Sequence, residues 1–315
     1  MRVLVLGGAG FIGRVVMRRL VEGGHDVYCM DINPGNSALD SLRENIKVCK
    51  GDITALHDLL RVMIQNPPDR VLNLAYYLPT SVTATDDPDF AVRINILGMN
   101  NCFEASRVCG VKRVIYASSL AVYGLQKLHG ERLLTEEDPR YGTGSYAVSK
   151  IYNEHQAQWY NDAFDMQITG VRPANVMGTD KIFGSTEHVR CIVLPARGEP
   201  VRFPYRDNMY CVIHVEDTAE ILVKVTLAEV TQHSIYNSGG TSVSLGGLAE
   251  MVRGFLPEAD ISFDMDEGGK EASFIYMMDN TRLREEFDVR LPPLEERVKE
   301  MINEVREREG LPVVP

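Results

Sequence analysis

Tyr146 and Lys150 stand four residues apart within Ser145-Tyr146-Ala147-Val148-Ser149-Lys150. On a helix that spacing stacks both side chains on one face. A free phenol titrates near pH ~10, too high for a base at neutral pH. An ammonium beside it, and a cationic cofactor ring, would lower that value. The tyrosinate could then take the proton of a substrate hydroxyl while a hydride leaves the adjoining carbon. Ser119 ends an apolar run, residues 114–117, and would hydrogen-bond the same substrate oxygen. Ser119, Tyr146 and Lys150 are therefore the candidate catalytic residues.

Such chemistry needs a hydride acceptor, and the first thirteen residues have the pattern that holds one. The apolar run 2–6 is followed by Gly7, Gly10 and Gly13, then by Val15, Val16, Leu20 and Val21 on one helical face. Gly7 lets the chain turn off the strand. Gly10 admits a pyrophosphate close to the backbone, and Gly13 lets the helix pack on the sheet. The helix start then offers free N–H groups to the phosphates. A second run, 27–30, ends in Asp31. Its carboxylate can accept both hydroxyls of an adenosine ribose and would repel a 2′-phosphate. No Arg or Lys occurs from residue 32 to 42. The cofactor expected is NAD rather than NADP.

The elements that position these residues alternate. Strand patterns at 2–6, 27–30, 46–49, 71–75, 114–117 and 166–171 are separated by helical patterns at 54–65, after Pro88, and at 145–164. That alternation predicts an α/β fold, a Rossmann-type doubly wound parallel sheet. Gly7, Asp31, Asp52, Ala75 and Ser119 all fall at carboxyl ends of strands, where such sheets bind ligands. After Arg172-Pro173 the segments shorten: strands at 213–215, 235–237 and 261–263, helices at 216–227, 245–255 and 294–306. We read residues 1–172 as an NAD-binding domain to which parts of the later chain return. Residues 173–315 read as a smaller, discontinuous α/β substrate domain.

Length and composition bound the rest. The chain has 315 residues, 44% hydrophobic, enough for a full core. A net charge of −11 argues against a nucleic-acid partner. No apolar run reaches bilayer length, so no membrane partner is expected. The first strand pattern starts at residue 2, and the six cysteines lack disulfide or metal-ligand spacing. A cytoplasmic protein without a metal is the expectation.

On Gly7-Gly8-Ala9-Gly10-Phe11-Ile12-Gly13, Asp31, Gly51-Asp52-Ile53, Asn95, Ser118-Ser119-Leu120-Ala121-Val122-Tyr123-Gly124, Tyr146 to Lys150, Arg172-Pro173-Ala174-Asn175-Val176-Met177-Gly178 and His214-Val215-Glu216-Asp217, the chain resembles the extended short-chain dehydrogenase/reductase family, the NAD-dependent epimerase/dehydratases. The resemblance implies that Gly10, Phe11, Ile12 and Gly13 face the cofactor, with Asp52 and Ile53 at its adenine. It implies that Leu74 and Ala75 line the cofactor and that Pro173 lies near the nicotinamide. Lys150 would hold the nicotinamide ribose, and Asn95 would relay protons behind it. It also implies a homodimer through a four-helix bundle built from 88–109 and 146–164.

Departures from the family pattern narrow the chemistry. Dehydratases of the family carry an acidic pair where Leu120 and Ala121 stand, and related decarboxylases carry a glutamate at Ala121. Neither residue can move a proton, so both chemistries are disfavoured. Aligned on His214, Tyr210 and Cys211 stand where many sugar-nucleotide enzymes have Arg-Asp. A tyrosine cannot replace a bidentate cation on a diphosphate. Arg206 could serve only from a different loop. Tyr76 and Tyr77 add bulk after the fourth strand; His214 reads as core support. Candidate substrate contacts are Tyr77, Ser81, Ser119, Tyr146, Asn175 and Arg206.

The reading is an NAD-dependent enzyme that oxidises a secondary alcohol of a small polar substrate: a sugar acid, polyol or hydroxy acid. The alternative is a sugar or nucleotide-sugar epimerase that uses the same first half-reaction through a transient ketone. A non-catalytic NAD-binding scaffold would be expected to lose Tyr146 or Lys150, and both are present.

Overall fold

The computed structural model describes residues 1–78 and 87–315; Ser81 lies outside the described residues. Six parallel strands carry the first half: β1 (Arg2–Leu6), β2 (Asp26–Asp31), β3 (Ile46–Lys50), β4 (Arg70–Asn73), β5 (Arg113–Ala117) and β6 (Gln167–Arg172). The later strands are β7 (Asn175–Met177), β8 (Val201–Tyr205), β9 (Met209–His214), β10 (Ile235–Asn237), β11 (Thr241–Ser244) and β12 (Ile261–Met265). The main sheet runs β10-β6-β5-β4-β1-β2-β3. Its strands are Val/Ile/Leu-rich because helices cover both faces. The order reverses between β1 and β4, which opens a crevice beyond their carboxyl ends. β11-β9-β7 and β12-β8 form two small sheets.

The helices are α1 (Phe11–Glu22), α2 (Leu56–Gln65), α3 (Pro88–Val92), α4 (Met99–Val108), α5 (Ser145–Phe164), α6 (Glu187–Ala196), α7 (Val215–Leu227), α8 (Leu245–Phe255), α9 (Thr281–Phe287) and α10 (Leu294–Arg308). A second core joins α6, α8 and α10 to β8 through Ile192, Leu248, Ile302 and Phe203. The chain also returns to the first sheet: β10 lies beside β6, with Ile235 paired to Gly170. A side chain at Gly170 would run into the Tyr116 ring, at 2.7 Å, so glycine permits that packing.

The expected single helix after Pro88 is interrupted. Arg93–Gly98 forms a π turn between α3 and α4. Its extra residue shifts the helical phase, so Val92 points outward while Met99 and Phe103 are buried. The expected helix from 54 starts at Leu56 instead, because the Asp52 carboxylate accepts the Thr54 N–H at 2.8 Å and makes a turn there. The strand expected at 213–215 ends at His214. The His214 Nδ1 accepts the Glu216 N–H at 3.4 Å and caps α7. Nothing in the sequence reading marked α6 or β8. All six cysteines are free, and no helix among the described residues is long and apolar enough to cross a membrane.

Gly7 is a tight joint in this frame. It holds φ +74°, and a Cβ there would lie 2.7 Å from the Ala75 backbone at the end of β4. Gly7→Ala should destabilise the protein by about 2 kcal/mol or more, read as a lower midpoint in urea denaturation.

Candidate active site

α5 starts at Ser145, so Tyr146 lies in its first turn and Lys150 one turn later, on one face. Lys150 Nζ donates to the Ala117 carbonyl, 2.6 Å away, at the end of β5. That bond ties the helix to the strand that leads to Ser119. The serine is itself fixed. Its Oγ accepts the Ala121 N–H at 3.1 Å, while the next residue, Leu120, donates to the Pro173 carbonyl at 3.0 Å. Pro173 therefore locks the serine turn to the end of β6.

Burial sets the resting electrostatics. It pushes the Tyr146 phenol up, and the neighbouring Ser119 hydroxyl opposes that rise. Burial pushes the Lys150 ammonium down to about 7, with Glu154 opposing. Both shifts favour the uncharged forms in a poorly hydrated site.

Behind this pair lies a polar cluster that the sequence reading missed. Arg172, 2% exposed, donates to Glu154 from Nε and Nη2, both at 2.8 Å. Ser118 Oγ and Arg140 Nη1 complete the Glu154 carboxylate at 2.6 and 2.9 Å. Those donors hold its pKa below the usual carboxylate value despite burial. The one available signal was Glu154 standing a helical turn beyond Lys150.

The candidate cofactor residues meet at the crevice. Asp31 accepts the Ala9 N–H at 3.1 Å and the Asn33 N–H at 3.0 Å, joining the glycine turn to the end of β2. Gly10 is exposed, and a Cβ built there meets only the Gly7 carbonyl, at 3.2 Å. No side chain caps α1, so its first N–H groups remain available. An NAD pyrophosphate fits this cradle: Gly10, Phe11 and Ile12 would face it, Gly13 keeps α1 close, and Asp31 would take the adenosine ribose. Leu74 and Ala75 are half-buried just beyond β4. Ile53 is buried against Gly98, and its carbonyl accepts Asn101 Nδ2 at 3.1 Å. Asp52 is exposed beside it. Asn95 sits in the π turn. Its side chain clasps the Tyr77 backbone at 2.8 and 3.0 Å, and its carbonyl accepts Asn153 Nδ2 at 2.9 Å.

On the substrate side, the Tyr77 ring lies edge-on to Phe90, centroids 5.1 Å apart. Asn175 Nδ2 donates to the Cys211 carbonyl at 3.0 Å. Arg206 donates to Glu250 at 3.0 Å. Tyr210 donates to Glu187, and Asn208 Nδ2 reaches both, at 2.9 Å to the phenol and 3.1 Å to the carboxylate. Lys181, also missed, has an ammonium that burial pushes down to about 7. It donates to the Val176 carbonyl at 2.8 Å, and it has no carboxylate partner among the described residues. No group of three or more His, Cys, Asp or Glu among the described residues could hold a metal.

A reversed parallel sheet, a glycine cradle with Asp31, and Tyr146 with Lys150 on one helix define the short-chain dehydrogenase/reductase class. Within it, the chain belongs to the NAD dependent epimerase/dehydratase family, which matches residues 3–239. The chain is 31% identical over 183 residues to UDP-glucose 4-epimerase of Mycolicibacterium smegmatis, 56% of this chain and 57% of that protein. It is 30% identical over 172 residues to uronate dehydrogenase of Pseudomonas syringae pv. tomato, 54% of this chain and 58% of that protein. The chain thus spans just over half the length of these two curated relatives. The structure of Thermus thermophilus UDP-glucose 4-epimerase, a complex with NAD, shares the fold with a TM-score of 0.84 at 22% identity, covering 97% of this chain and 99% of that one.

Glu154→Gln would leave Arg172 without its counter-charge, at a cost of about 3–5 kcal/mol. Because Glu154 is held below its ordinary pKa of 4.5, the wild-type advantage is complete above that value. It shrinks as pH falls through the folded-state value. Urea denaturation of both proteins at neutral and acid pH checks the size and the direction.

Proposed function

We propose that this chain is an NAD-dependent dehydrogenase that oxidises a secondary alcohol of a small polar substrate, a sugar acid, polyol or hydroxy acid. The observation that carries this reading is the Tyr210–Glu187 hydrogen bond. It stands where sugar-nucleotide enzymes that resemble this chain place a diphosphate-binding arginine. A diphosphate would meet a carboxylate and a phenol there instead of a cation. Arg206, the substitute that the sequence offered, is turned to Glu250. Lys181, half-buried and donating to the Val176 carbonyl, supports a carboxylate on the substrate side.

In this mechanism NAD supplies the hydride acceptor. The Tyr146 oxygen takes the hydroxyl proton as the C–H electron pair leaves the same carbon. Ser119 Oγ orients the substrate oxygen. The Lys150 ammonium lowers the cost of the tyrosinate and holds the nicotinamide ribose. Residues 1–172 serve the cofactor, with β10 returning to them, and residues 173–315 serve the substrate. Six unpaired cysteines support a reducing compartment, the cytoplasm.

The similarity to UDP-glucose 4-epimerase favours a second reading, epimerisation, with the same three residues. One experiment separates the two. The protein is purified without nucleotide and desalted, and bound NAD(H) is measured. It is then assayed for NADH formation on sugar acids, polyols and hydroxy acids, and for interconversion of UDP-hexoses. An empty site with NADH formation is expected. Retained NAD with UDP-hexose interconversion would replace the dehydrogenase by the epimerase. Tyr146→Phe should lower kcat by about 10²–10⁴. A variant with wild-type turnover would remove Tyr146 as the base.

We also propose a homodimer through α4 and α5. Val108 on α4, with Val148, Tyr152 and Trp159 on α5, expose apolar surface at 58%, 50%, 49% and 61%. Large apolar side chains exposed together on neighbouring helices support an interface there. Sedimentation should give a dimer for the wild type and a monomer for Trp159→Asp. A monomeric wild type would rule the interface out.

A further inference from the structure

Lys150 lacks a carboxylate of its own. The nearest acid on α5 is Glu154, and Arg172, Arg140 and Ser118 already hold that carboxylate. One Lys150 proton goes to the Ala117 carbonyl. A further face of the ammonium is covered by Tyr76. Lys150 Nζ lies 3.3 Å from the centre of the Tyr76 ring. The same ring meets Tyr146 edge-on, with centroids 5.6 Å apart and planes at 88°. The face of an aromatic ring is negative and attracts an ammonium, while its edge is positive. One side chain therefore touches both members of the candidate catalytic pair.

Tyr76 stands just beyond β4. An alanine there would leave the ammonium uncovered on that side. The Tyr76 hydroxyl is buried, and the contact with Lys150 is made by the ring face.

We propose that Tyr76 is a positioning residue whose ring face keeps Lys150 charged and in place while the ring packs edge-to-face with Tyr146. The inference rests on the reading of Tyr146 and Lys150 as the catalytic pair. The groups facing Lys150 are Tyr146 and Glu154 on its own helix, Tyr76 after β4 and the Ala117 carbonyl on β5. Arg140 and Arg172 stand behind Glu154 and neutralise it. Burial drives the ammonium toward its neutral form, and the ring opposes that.

The test is a titration of Lys150 in the full-length protein labelled with ¹³Cε-lysine. Its resonance is identified by its loss in Lys150→Arg. Tyr76→Phe keeps the ring and should leave the midpoint unchanged. Tyr76→Leu and Tyr76→Met keep apolar volume without the ring. They should lower the midpoint by about one pH unit, a tenfold loss of proton affinity. The alkaline limb of kcat/KM should move down with it in the same two variants, and not in Tyr76→Phe. An unchanged midpoint in Leu or Met, or an equal drop in Phe, overturns the proposal. The titration needs no substrate. A shifted midpoint together with a fully active Tyr146→Phe would therefore keep the Tyr76 contact and discard the catalytic reading.

Discussion

One buried carboxylate organises the centre of this molecule. Glu154 is 8% exposed and receives donors from Arg172 at the end of β6, from Ser118 beyond β5, and from Arg140 in the loop before α5. Taking such ions out of water costs several kcal/mol each, and only a full set of partners offsets it. That demand fixes the register of α5 against two strands at once. Tyr146 and Lys150 ride on that helix, and Ser119 directly follows Ser118. The arginine extends the constraint outward. It donates to the Tyr123 hydroxyl, which in turn reaches the Thr135 carbonyl at 2.9 Å and Asn237 on β10 at 2.8 Å. A set of side chains from distant parts of the chain thus shares one charge balance.

Around that centre the electrostatics are graded. The ion pair is complete and needs nothing further. Tyr146 and Lys150, a turn or two away, are desolvated toward neutrality. Farther out, the Glu187 carboxylate is already taken by the Tyr210 phenol and the Asn208 amide. The cofactor side is the opposite case, since α1 offers uncapped N–H groups and Asp31 offers acceptor oxygens.

Much of this was legible because the governing rules are local. Glycine spacing after β1, the carboxylate after β2 and a four-residue step on α5 follow from helical and strand periods. The central strands were found within one or two residues. Two classes of feature escaped. The π turn at Arg93–Gly98 inserts a phase shift that the apolar pattern around Val92 and Met99 does not encode. Partnerships between distant residues escaped as well: Glu154 with Arg172, Tyr210 with Glu187, Tyr76 with Lys150. Each member looks ordinary alone, and only the fold makes them neighbours. The second half was harder: 235–237 was read as the strand it is, but β7 has three residues, too few for a period to show, and β8, β11 and α6 went unmarked.

The return of β10 to the edge of β6 bears on how the chain matures on the ribosome. Synthesis delivers β1 through β6 first, yet the outer edge of β6 keeps its peptide groups unpaired until Ile235 emerges. The intervening segment must meanwhile build α6, β8, β9 and α7. An open, apolar edge of a parallel sheet is sticky, and long-range closure is slow. The nascent protein thus passes through a stage at which its nucleotide half is nearly formed but unsealed. At that stage, chaperone capture or pairing with another unfinished chain competes with completion.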